Sequence, residues 1–92
     1  MKQIVLKPPL TTINASQVKP ENIIAGFDER GNLLIVNYSD ETKELNLLNL
    51  TTNISFGIDS VKQVLAAYPK TVLYLFDTPH QRLNWIANQI NV

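Results

Sequence analysis

The 92-residue chain contains no cysteine, which excludes disulfides, thiolate metal sites and a cysteine nucleophile, so packing alone must hold the fold. Glycine is scarce as well. Gly26, Gly31 and Gly57 stand far apart, whereas a loop that cradles phosphate needs several glycines within a few residues. Neither sign of charge is in excess. Eight basic and eight acidic residues cancel, leaving no pull toward nucleic acid or an acidic membrane face, and zero net charge eases self-association. Long apolar runs are missing too. The stretch from Met1 to Pro9 has only three consecutive apolar residues, Ile4, Val5 and Leu6, too few for a signal segment or a spanning helix. The expectation is a cytoplasmic protein with no membrane partner. On that expectation the four Asn-X-Ser/Thr triplets at Asn14, Asn37, Asn49 and Asn53 mean little, since an Asn-rich chain produces them by chance.

The 45% of residues that are apolar suffice for one modest core. The length implies a single domain over residues 1–92 with a radius of gyration of roughly 12 Å. Ile4, Val5 and Leu6 suggest a short first strand over Lys2 to Lys7, stopped by Pro8-Pro9. Residues 8–20 show no period and read as an irregular arm with a turn near Ser16, since Pro20 biases Lys19 away from helix.

Two apolar runs, Ile23 to Phe27 and Leu33 to Val36, flank Asp28-Glu29-Arg30-Gly31-Asn32. A type I turn with Gly31 in the left-handed region closes such a hairpin. Ser39 to Thr42 forms a second turn into a run where Leu45 and Leu47 alternate with Glu44 and Asn46. At Leu48 and Leu50 the apolar phase slips, which suggests a strand end or a bulge, and Thr51 to Gly57 reads as a connection.

Ser60 and Gln63 have capping-box spacing, followed by Val61, Val64, Leu65 and Tyr68 on one helical face up to Pro69. Thr78, Pro79 and Gln81 start a second helix, with Leu83, Ile86, Ala87 and Ile90 as its stripe. Between them, Thr71 to Phe76 is apolar on both faces and belongs inside a sheet. The fold class is α+β: a mainly antiparallel sheet of about five strands, a β-meander, with two helices in a C-terminal α-β-α segment, in the order β-β-β-β-α-β-α. Either the helices cover opposite faces, or one face is closed by a second subunit.

Candidate chemistry is sparse. Asp77, Thr78 and His80 lie where a buried strand exits into a helix start, a place where ligands gather. The plainer account is a cap, a carboxylate beside the positive helix end and an exposed first-turn histidine. His80 is the only histidine, and no partner for catalysis is evident, so no catalytic residue is assigned. Asp28, Glu29, Asp40 and Glu41 lack the alternating ligand order of a calcium loop, and neither metal nor cofactor is expected. Six scattered lysines with Arg30 and Arg82 argue against nucleic-acid binding.

Trp85 is the most informative residue. At about 100° per residue it sits about 140–160° from Leu83, Ala87 and Ile90 and about 100° from Ile86, off the expected core stripe. Gln81, Asn88, Gln89 and Val92 share or flank its side, and Leu83 to Val92 carries no charge. Tryptophan is enriched and charge depleted at interface centres. One reading makes Trp85, Gln81, Asn88, Gln89 and Val92 a contact surface for a second copy or another protein. The other lets the 8–20 arm or the segment after Leu48 cover Trp85 within the chain, and a shifted helix register is a third. The functional expectation is a non-enzymatic assembly module, a homo-oligomer through the last helix, with a ligand or enzymatic site at 77–80 as the alternative.

Overall fold

Strands that are apolar on both sides need cover on both sides, and this requirement shapes the molecule. The computed structural model describes residues 9–10 and 15–90. Its strands are β1 (Pro9–Leu10), β2 (Ile23–Phe27), β3 (Leu33–Ser39), β4 (Glu44–Asn49), β5 (Ile54–Ile58) and β6 (Val72–Phe76); its helices are α1 (Val61–Ala67) and α2 (Pro79–Ile90). One antiparallel sheet runs in the order β1-β6-β2-β3-β4-β5. Among the described residues, and apart from the two-residue β1, five strands and two helices follow one another as β-β-β-β-α-β-α. The radius of gyration is 12.4 Å.

The helices cover opposite faces. Ile24, Leu34, Val36, Leu45, Leu47 and Leu73 meet Val61, Val64 and Leu65 of α1, with Ala15 and Val18 of the 8–20 arm closing that layer. Ala25, Leu33 and Phe76 meet Trp85 and Ile86 of α2 on the other, with Ile23, Phe27, Ile35, Leu50 and Tyr74 around them. Leu73 and Tyr74 therefore point into different cores, which is why β6 reads as apolar throughout.

The β2–β3 hairpin follows from its residues. Gly31 has φ +81° and donates its N–H to the Asp28 carbonyl at 3.0 Å. The Asp28 carboxylate accepts the Arg30 and Asn32 N–H groups at 2.9 and 2.8 Å and the Asn32 side-chain amide at 2.9 Å. Partial burial acts to raise the Asp28 pKa, but these hydrogen bonds and the Arg30 charge outweigh it and hold the carboxyl below its ordinary value. Gly26 is needed for another reason: a Cβ there would overlap the Val72 carbonyl oxygen and sit 2.8 Å from the Leu73 Cα, so only glycine lets β2 and β6 approach this closely.

Three expectations change. No bulge marks the change of apolar side after Leu47: β4 stays in unbroken register from Ser39↔Glu44 to Leu34↔Asn49 and ends there, and Leu50 then serves the second core. Residues 54–58 are a strand rather than part of a connection, paired to β4 from Leu45↔Ile58 to Asn49↔Ile54. Their apolar residues alternate with Ser55 and Gly57, a weak pattern for a strand exposed along its length. Tyr68, expected on the buried face of α1, is exposed. The proposed strand over Lys2 to Lys7 lies outside the described residues.

Candidate functional site

Helix α2 begins as its residues require. Thr78 Oγ1 accepts the Gln81 N–H at 3.1 Å, and Gln81 Oε1 accepts the N–H of Asp77, the residue before the cap, at 3.1 Å. Helix α1 does the same: Ser60 Oγ accepts from Gln63 N–H at 3.1 Å, and Gln63 Oε1 from Asp59 N–H at 2.8 Å. In both, the returning bond falls one residue earlier than in the usual capping box.

Beyond the cap, α2 departs from the expected stripe. Trp85 is 5% exposed and Ile86 is buried, while Leu83 is 62% and Ile90 65% exposed and Ala87 is exposed beside them. Trp85 lies among Phe27, Tyr74 and Phe76 at ring-centroid distances of 5.3, 5.6 and 5.5 Å, with interplanar angles of 54–59°. These tilted contacts suit aromatic quadrupoles and cover the indole within the chain. Trp85 is therefore a core residue and not the centre of an open face. The cover comes from the sheet, with Leu50 of the segment after Leu48 packed against the same cluster; of the 8–20 arm, the described residues Ala15 and Val18 pack in the other core. Gln81, Asn88 and Gln89 are half-buried at the margins of the helix, and Val92 lies outside the described residues.

Arg82 completes the inward side. Its guanidinium donates from Nη1 to the carbonyls of Ile24 at 3.2 Å and Val36 at 3.0 Å, and from Nη2 to Asn37 Oδ1 at 3.5 Å. Burial lowers its pKa from the ordinary arginine value, because desolvation disfavours the charged form. The side chain borders a cavity of about 210 Å³ with Glu21, Asn22, Asn37, Tyr38 and Asp40. With Nη1 committed to two backbone carbonyls, Arg82 ties the first turn of α2 to β2 and β3.

The outward side is then His80, Leu83, Asn84, Ala87 and Ile90, without a Lys, Arg, Asp or Glu. Asp77, Thr78 and His80 are all exposed, and the geometry gives the first two capping roles. The cavity beside Arg82 is not lined by these three residues. Among the described residues no group of three or more His, Asp or Glu side chains is placed to hold a metal, and no helix is long and apolar enough to cross a membrane.

The chain matches no protein-family model, no curated protein and no solved structure. The case for function therefore rests on this helix and the sheet beneath it. Sequence reasoning missed Leu83 and Ile90 as surface residues. The available signal was the neighbouring pair Trp85-Ile86 with Arg82 one turn back, whose combined bulk outweighs Leu83 and Ile90 in choosing the buried side.

Proposed function

We propose that this protein is a small assembly module that self-associates through α2. The supporting observation is the uncharged outward stripe of Leu83, Ala87 and Ile90, spaced i, i+4 and i+7 along one side of the helix. A solvated helix face ordinarily carries Lys and Glu, and an apolar stripe facing outward gains from a partner. A second copy suits it. Two such helices crossing about a two-fold axis place identical uncharged stripes together, so no like charges meet.

Static light scattering behind a sizing column at about 100 µM should give a mass above that of one chain, with concentration dependence set by mass action. Leu83→Glu and Ile90→Glu, both at exposed positions, should lower that mass while leaving the circular dichroism spectrum unchanged. A wild-type protein that runs as a monomer, or glutamate variants that assemble like wild type, would refute the proposal.

A further inference from the structure

The two edges of the sheet are built differently. One ends in β1, two residues long and containing Pro9, which lacks a backbone donor; short edge strands and proline are two of the ways proteins prevent edge-to-edge pairing. The other ends in β5, five residues with no charge and no proline, whose register with β4 runs without interruption. Ile54 and Phe56 are 59% and 48% exposed. They share a face with Leu47 and Asn49, their neighbours across β4, so this side chain row extends the α1 layer outward to an edge that is unpaired among the described residues. Beside it lies a cavity of about 220 Å³ between sheet and helix, lined by Leu34, Leu47, Phe56, Val64 and Tyr68 among others.

We infer that β5 pairs antiparallel with β5 of a second copy, joining two six-stranded sheets into one of twelve strands. A two-fold axis at Phe56 sets Ile54 opposite Ile58 of the other copy, Ser55 opposite Gly57 and Phe56 opposite itself. All apolar side chains of both strands then lie on one face, and the aromatic pair at the axis adds a favourable cross-strand contact. Asp59 meets Asn53 in this register, so no like charges are opposed; a parallel arrangement would set Asp59 against itself. The opposite edge explains why the partner is a second copy and why growth along the sheet stops there: β5 cannot extend onto a β1 edge blunted by Pro9, so edge pairing closes as a dimer.

The inference deepens the self-association reading, but it uses a different surface. Helix α2 packs over β2 and β6, whereas β5 is the far edge. With both contacts present, copies joined at β5 can join again through α2, giving species larger than a dimer.

Light scattering on wild type, Phe56→Lys, Leu83→Glu and the double variant separates the two contacts. Wild type is expected above a dimer, each single variant at a dimer and the double variant at a monomer. If Phe56→Lys leaves the mass unchanged while Leu83→Glu lowers it, edge pairing is wrong and the helix contact stands. The reverse pattern keeps edge pairing and removes the helix contact, and a monomeric wild type removes both. Ile54→Lys serves as a second edge variant should Phe56→Lys fail to fold. Amide hydrogen exchange adds a direct reading, since the 54–58 amides should become more protected as concentration rises. Exchange there that is independent of concentration overturns the inference and leaves the edge open to other extended chains.

Discussion

The two helices sit on opposite faces of one sheet and start with the same cap, yet they divide their side chains in opposite ways. Helix α1 buries Val61, Val64 and Leu65 and turns Lys62, Gln63 and Ala66 outward, as a 3.6-residue period dictates. Helix α2 buries Trp85 and Ile86, ties Arg82 to the carbonyls of Ile24 and Val36, and leaves Leu83 and Ile90 outside. The difference comes from the surfaces they meet. The α1 face offers Ile24, Leu34, Val36 and Leu47, aliphatic side chains that accept another aliphatic row. The α2 face offers Phe27, Tyr74 and Phe76 around the small Ala25, a site suited to one large ring. An indole buries about 150–250 Å², so its placement governs the rotation of the whole helix.

The largest test of this contrast is Trp85 against Leu83. Trp85→Ala should lower stability by about 3–5 kcal/mol through the void left among three rings, while Leu83→Ala should cost about 0.5 kcal/mol or less as an exposed change. Chemical denaturation of both, in a Phe56→Lys/Ile90→Glu background that breaks both proposed contacts, measures the two costs on the single chain. Comparable values would mean that α2 is rotated from the position described.

This contrast also explains what could be read from the residues. The β2–β3 hairpin was legible because Asp28 and Gly31 determine their turn locally. Helix α1 was legible because its stripe and cap agree, and β6 because strands covered on both sides lack polar alternation. The rotation of α2 was not, since hydrophobic spacing counts Leu83, Ile86, Ala87 and Ile90 as four equal votes and ignores that one ring fits a prepared site. Leu48 and Leu50 looked like a slip in phase because β4 ends at Asn49 and Leu50 packs against the cluster around Trp85, far along the chain. Strand β5 was hidden because an exposed edge imposes little pattern on its residues. Of the residues expected at an interface, Trp85 is buried and Gln81, Asn88 and Gln89 are half-buried, which moves the proposed contact to Leu83, Ala87 and Ile90.

A smaller effect tests whether Arg82 holds α2 in this rotation. Replacing it with Met keeps much of the aliphatic stem and removes the donors to Ile24 and Val36, so Arg82→Met should cost about 1–3 kcal/mol, as expected for hydrogen bonds from a charged group. Thermal unfolding reads this directly. A neutral result would show that Trp85 alone fixes the helix, and that the guanidinium is a passenger on a helix positioned by aromatic packing.

The smallest effect concerns what the helices share. Ser60→Ala should cost about 1 kcal/mol, as for loss of a capping hydroxyl. Thr78→Ala breaks an equal bond, the 3.1 Å contact from Gln81 N–H, but two features cushion it. Pro79 fixes the backbone of the first helical position, and Arg82 ties the same turn to the sheet from the other side. Thr78→Ala should therefore cost about 0.5 kcal/mol, less than Ser60→Ala in parallel denaturant titrations. If the order is reversed, the start of α2 depends on its cap rather than on the side chains that follow it. The rotation of the helix would then be set at Thr78, and the outward position of Leu83 and Ile90 would follow from the entry of the chain instead of from the indole.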